Sequence, residues 1–129
     1  MSKIHQKFFP KSEETHLIIK KGFEVHRTLG HGFKEIVYKD ALEYEFKRAG
    51  IPYDREREYI IKYKDTVLPH RFFADFVVFE SVILEIKAKK KIASEDLTQT
   101  LNYLRCSGCK VGLILNFSRV RLDLRRVIL

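Results

Sequence analysis

Residues 72–88 read FFADFVVFESVILEIKA, two apolar runs interrupted by Asp75, Glu85 and Lys87. Such near-continuous runs of aromatic and β-branched residues belong to central strands covered on both faces. Glu80–Ser81 between them is too short for anything but a hairpin. A buried strand excludes charge, because an unpaired ion in the interior costs several kcal/mol. Charges on two adjacent buried strands therefore need a reason. Period-2 alternation puts Glu85 and Lys87 on one face of their strand. Asp75 joins them only if the loop has odd length or a bulge. With Phe79–Ser81 as the loop, Val78 opposes Val82 and Asp75 opposes Glu85. With Glu80–Ser81 alone, Asp75 opposes Ile86 and faces away.

Working outward, Glu58–Tyr63 (EYIIKY) reads as a strand before this hairpin, and Val111–Phe117 (VGLILNF) and Val120–Ile128 as strands after it. Ile18, Gly22, Val25 and Leu29 recur at helical spacing, with Gly30 and Gly32 ending that helix. A second helix is expected from Phe33 to Ala49, stopped by Gly50 and Pro52, with Phe33, Val37, Ala41 and Tyr44 as its apolar stripe. Ser94 is a suitable N-cap for a third, where Glu95 and Asp96 complement the positive end and Leu97, Leu101 and Leu104 form the stripe. The order α-α-β-β-β-α-β-β predicts an α/β fold, a mixed central β-sheet flanked by helices.

The chain has 129 residues, 45% hydrophobic and 12% aromatic, enough for one domain with a real core. The expectation is a single domain over 1–129, with 1–12 as a loose N-terminal arm. The formal charge of +8 favours a nucleic-acid partner, because each neutralised phosphate releases counterions. No segment approaches the length that spans a bilayer, and the start MSKIHQKFFP lacks an apolar signal region, so a cytoplasmic protein without membrane contact is expected. Cys106 and Cys109 form a lone C-S-G-C that cannot complete a zinc site and reads as idle thiols near a turn. His5, His16, His26, His31 and His70 show no metal-ligand spacing; packing or capping is their expected role.

Two carboxylates side by side repel unless a cation lies between them, and hard oxygen donors suit Mg²⁺ or Mn²⁺. Such an ion polarises a phosphodiester and lowers the pKa of a bound water. Lys87 would orient that water or stabilise transition-state charge. The plain alternative is a buried Asp–Lys ion pair with Glu85 at the sheet edge. Lys89, Lys90 and Lys91, with Arg119 and the arginines after it, would hold phosphates without reading sequence.

Asp75 followed by Glu85-Ile86-Lys87 resembles the metal site of the PD-(D/E)XK nuclease superfamily, with Ala74 where the superfamily's name has proline. Gln99-Thr100-Leu101-Asn102-Tyr103 resembles the Q-x-x-x-Y motif of RecB-like members. Gly32-Phe33-Lys34-Glu35-Ile36-Val37-Tyr38 looks like the signature that names the GxxExxY family, and EVHRTLGHGFKEIVY, ILEIKA, QTLNYL and GLILNF look like that family's blocks. The resemblance covers about residues 14 to 128. It implies a restriction-endonuclease-like core and a metal-dependent nuclease, on DNA rather than RNA, and a helix before the first core strand that supplies a third acidic ligand. Glu35 matches the signature, with Glu24 and Glu45 as competitors. The resulting site has Asp75, Glu85 and Glu35 as metal ligands, Lys87 and Gln99 as catalytic partners, and Tyr103 stacking on a base. One difficulty stands: on a helical wheel Gln99 and Tyr103 lie opposite the leucine stripe. The rival expectations are a nucleic-acid-binding module without catalysis and a protein-interaction subunit with structural charges; a homodimer stays open.

Overall fold

The computed structural model describes residues 11–129. Positions 1–10 of the expected arm, and His5 with them, lie outside the described residues, and Ser12 is already helical. The elements are α1 (Ser12–Leu29), α2 (Glu35–Ala49), β1 (Tyr53–Tyr59), β2 (Lys62–Tyr63), β3 (Thr66–Val67), β4 (Phe72–Val78), β5 (Val82–Lys87), α3 (Ser94–Ser107), β6 (Val111–Asn116) and β7 (Asp123–Ile128). A five-stranded sheet has the order β1-β4-β5-β6-β7, and β2-β3 form a separate small hairpin. Among the described residues only β5 and β6 pair in parallel, joined by α3; every other pairing is antiparallel. This is the mixed α/β sheet flanked by helices of a restriction-endonuclease-like fold.

Helices α1 and α2 cover one face of the sheet. Thr15, Ile18, Gly22 and Val25 are the buried line of α1. A Cβ at Gly22 would lie 2.9 Å from Leu115 Cδ1, so the missing side chain lets α1 approach β6 closely. The stripe of α2 differs from expectation: Tyr38, Leu42 and Phe46 are fully buried, whereas Phe33 and Tyr44 are exposed. Tyr38 can be buried because its hydroxyl donates to the Gly30 carbonyl at 2.8 Å and accepts from the Phe33 N–H at 3.2 Å, while its ring stacks on Phe117 at 4.5 Å. These two bonds tie down the α1–α2 turn.

The first strand also differs. It begins at Tyr53 rather than Glu58, and its sequence YDREREY is mostly charged. An edge strand has one solvated side, and here Arg55 pairs with Asp40 and Glu43, and Arg57 with Asp54 and Glu80. Apolar Ile60 and Ile61 instead lead into the small β2–β3 hairpin.

Helix α3 covers the other face, rotated from the expected leucine stripe. Asp96, Thr100 and Leu104 are buried, while Leu97 and Leu101 are half-buried. The cause lies on β6: a Cβ at Gly112 would stand 2.7 Å from the Thr100 methyl, so Thr100 nests on bare backbone. Asp96 is drawn inward by Lys89 and the Ala93 N–H.

Candidate active site

The β4–β5 hairpin has Val78 opposite Val82, Val77 opposite Ile83 and Phe76 opposite Leu84. Its loop is Phe79–Ser81, with Phe79 at φ 58° and Glu80 at φ 56°, so the first two of its three residues turn left-handed. This register carries Asp75 to the position facing Glu85, where the ladder stops and side chains take over. The Asp75 N–H donates to Glu85 Oε2 at 2.9 Å, and the Ile86 N–H donates to Asp75 Oδ2 at 2.8 Å. Each carboxylate thus satisfies a backbone donor of the other strand. Asp75 also marks a change of face along β4. Ala74 packs in the α3-side core and Phe76 in the α1/α2-side core, although strict alternation would put them together.

Glu85 is 5% exposed. Burial first, and then the Asp75 charge, push its carboxyl up to about 8, against the opposing pull of Lys87 and Lys39. Among the described residues no cation lies within ion-pair distance of Glu85. The plain alternative of an Asp–Lys pair is realised for Asp75, with a lysine that sequence reasoning did not consider: Lys39 Nζ on α2 lies 2.8 Å from Asp75 Oδ1 and 3.1 Å from Glu56 Oε1. Burial opposes the charge on Lys39, but its bonds to Asp75 and Glu56 outweigh this and raise its pKa.

Lys87 turns to a different partner. Its Nζ is 3.9 Å from Asp96 Oδ1, while Lys89 Nζ is 2.7 Å from Asp96 Oδ2. Asp96 also accepts from the Ala93 N–H, so one carboxylate at the start of α3 gathers both lysines and closes its own first turn. Burial alone would raise its pKa, but Lys89 and the Ala93 N–H lower it. In the sequence Asp96 is indistinguishable from an ordinary first-turn acid.

Glu35 is exposed in the first turn of α2, and its charge is felt by Lys89. In the GxxExxY segment Tyr38 has a packing role, whereas Glu35 has none. Glu24 is bound to Arg27, and Glu45 lies 4.0 Å from Lys21. Among the described residues no group of three His, Cys, Asp or Glu side chains is placed to hold a metal ion. The donors at the fork are the two hard carboxylates of Asp75 and Glu85. That set fits a small divalent cation that keeps most of its water shell, as Mg²⁺ does with one or two carboxylates.

Gln99 and Tyr103 line a groove of about 580 Å³ together with Ile61, Phe72, Thr98 and Asn102. The rotation of α3 resolves the wheel conflict. Tyr103 flanks the sheet and stacks on Phe72 at 4.1 Å, Phe72 in turn on Tyr59 at 5.1 Å, and Gln99 stays exposed on the groove wall. Burial, followed by the charges of Glu85 and Asp75, raises the Tyr103 pKa. Lys90, Lys91 and Arg119 line a depression of about 480 Å³ with His31 and Ser118, next to Arg121 and Arg125. The loops that carry them are stapled by Asn116, fully buried. Its Oδ1 accepts from the Lys89 N–H at 3.0 Å, and its Nδ2 donates to the Lys89 carbonyl at 2.8 Å. His26 Nε2 meets the Arg119 carbonyl at 2.8 Å, which is a packing role. Cys106 is exposed and Cys109 buried, both free. No helix among the described residues is long and apolar enough to cross a membrane.

A comparison with curated proteins finds no match. Among solved structures, one titled "Crystal structure of SSO0001" superposes with a TM-score of 0.55 at 15% sequence identity, covering 88% of this chain and 76% of that one. At that identity the likeness concerns the fold alone. The family model described as PD-(D/E)XK nuclease superfamily matches residues 12–127. This span holds the fork, both lysines and the α3 groove. The chain belongs to the PD-(D/E)XK nuclease superfamily.

Proposed function

We propose that the chain is a single-domain, Mg²⁺- or Mn²⁺-dependent nuclease of the cytosol, acting on DNA, from the GxxExxY family with a RecB-like Q-x-x-x-Y helix. The observation that carries this reading is the fork. Buried Glu85 faces Asp75 across two parted strands, and among the described residues no cation lies within ion-pair distance of Glu85. Asp75 and Glu85 would hold the ion, with Glu35 on α2 as a further acidic contributor. Bound there, the ion supplies Lewis-acid polarisation of the phosphodiester and a more acidic water. Lys87, pivoting on Asp96, presents its ammonium to the attacking water and to the charge that gathers on the phosphoryl oxygens. Gln99 supports the reacting strand from the groove, where Tyr103 offers a ring for stacking. Lys89, Lys90, Lys91 and Arg119 hold phosphates on either side of the cut, which gives register without sequence specificity.

The test is cleavage of labelled single- and double-stranded DNA and RNA with Mg²⁺, Mn²⁺ or EDTA. Metal-dependent cutting that is abolished in Glu85→Gln is the expected result. Cutting that ignores EDTA or survives the substitution refutes the reading. One observation favours a second reading, a nucleic-acid-binding module without catalysis: Lys87 is paired with Asp96 rather than turned to the two carboxylates. Salt-sensitive DNA binding with no cleavage under any metal would select it.

A further inference from the structure

The ion pair of Lys39 plays no part in the proposed chemistry, yet it occupies the position that matters most. Asp75 Oδ2 is committed to the Ile86 N–H, so Oδ1 is the oxygen left to face a cation, and Lys39 Nζ holds it at 2.8 Å. The lysine side chain is only 13% exposed, so its ammonium, held where it is, needs another partner once Asp75 is taken from it. Glu56 supplies that partner at 3.1 Å and is itself 49% exposed. The backbone at Glu56 is unusual in the same place. It lies at φ 56° in the middle of β1, between the pairs Arg55–Phe76 and Arg57–Ala74, level with Asp75. A left-handed non-glycine residue is strained and survives only where its surroundings hold it. Here it takes Glu56 out of the ladder, and the carboxylate reaches Lys39.

We infer that Lys39 is a built-in counter-cation that a divalent ion must displace from Asp75, with Glu56 as the seat that receives its ammonium. The inference rests on the metal-binding reading of Asp75 and Glu85. Without the ion, Lys39 neutralises part of the charge that two facing carboxylates would otherwise leave buried. When an ion binds, two cations cannot share Asp75 Oδ1, and the lysine shifts its weight to Glu56. Lys39 is therefore a positioning residue that sets metal affinity, and Glu56 acts through it.

Metal binding without nucleic acid separates this inference from the nuclease reading. Mn²⁺ is titrated into the full chain by calorimetry and by electron paramagnetic resonance. Lys39→Met is expected to bind Mn²⁺ about tenfold more tightly than the parent, because a positive charge within a few ångströms of the site is gone. Glu56→Gln is expected to bind about threefold more weakly, because the displaced ammonium loses its seat. The double variant should match Lys39→Met, since Glu56 has nothing left to receive. Should Lys39→Met fail to fold, Lys39→Gln, uncharged but still able to donate to Asp75, carries the same expectation. Unchanged or weaker binding in both Lys39 variants overturns the inference. So does a Glu56→Gln effect that persists in full without Lys39, which would make Glu56 a bare charge. No Mn²⁺ binding by the parent or any variant would sink the metal reading itself.

Discussion

Replacing Glu85 by glutamine tests the electrostatics of the fork independently of any activity. The carboxyl rises from the usual 4.5 to about 8, through burial and then Asp75. Across that interval the native protein keeps a proton that the unfolded chain has released. The stabilisation from the protonated group is therefore complete below pH 4.5 and is lost as pH rises toward 8. The slope reaches about 1.4 kcal/mol per pH unit, so the metal-free parent should lose on the order of 3–4 kcal/mol between pH 5 and pH 8. Glutamine keeps an oxygen for the Asp75 N–H and has no charge to desolvate. It brings an amide donor in need of an acceptor, a cost of about 1–2 kcal/mol at every pH. Glu85→Gln should thus be slightly less stable than the parent at pH 5, and at pH 8 more stable by about 2–3 kcal/mol, roughly 10 °C in Tm for a chain of this size. Urea and thermal melts in EDTA at pH 5, 6.5 and 8 measure both curves. Parallel pH profiles for parent and variant would refute the reasoning, for they would mean that Glu85 is ionised in the native state throughout.

Asp96→Asn removes the partner shared by Lys87 and Lys89 and should lower stability by about 1–2 kcal/mol in melts at pH 7. Burial works against the Asp96 charge, but Lys89 and the Ala93 N–H outweigh it and depress its pKa, so this stabilisation is present above pH 3.8 and fades as pH falls below it. Gly112→Ala should cost about 1–3 kcal/mol, because the new methyl group meets Thr100 at 2.7 Å, and the pair Gly112→Ala with Thr100→Ser should recover most of it. No loss in the single variant would show that α3 does not sit on Gly112. Replacing Lys90, Lys91 and Arg119 together by alanine should weaken DNA binding uniformly across sequences. It should also flatten the plot of log affinity against log salt by about 0.9 for each duplex phosphate no longer neutralised. An unchanged slope would move the interface elsewhere.

The strands of the central hairpin are legible in the sequence because both their faces are buried and they read as near-continuous apolar runs. Their register is not, since either face accepts apolar side chains and the loop Phe79–Ser81 decides it. Edges and helix faces are harder to read. YDREREY hides a strand because edge position permits charge, and the alternation it shows is of half-buried against exposed rather than apolar against polar. The face of α3 is decided by Gly112 on another element, and that of α2 by where the Tyr38 hydroxyl finds partners. Neither cause lies within the helix whose orientation it fixes.

The same distinction runs through the site. Asp75, Glu85 and Lys87 stand out because they interrupt apolar strands, where charge is costly and needs a reason. Lys39, Glu56 and Asp96 sit in segments where charge is ordinary, so only three-dimensional placement distinguishes them from solvated residues. What brings them in is the fork. Where β4 and β5 part, two carboxyl groups replace ladder partners, one for each strand, and this keeps both at the bottom of the opening. The Asp75 charge at the opening holds Lys39 from α2, while Lys87 leans away to Asp96 at the start of α3. The backbone bonds of Asp75 and Glu85 therefore do two things at once. They close the gap in the ladder, and they hold Glu85 close enough to Asp75 that the Asp75 charge raises the cost of ionising it. A sheet that ran on in regular pairing past Phe76 and Leu84 would have no need of either.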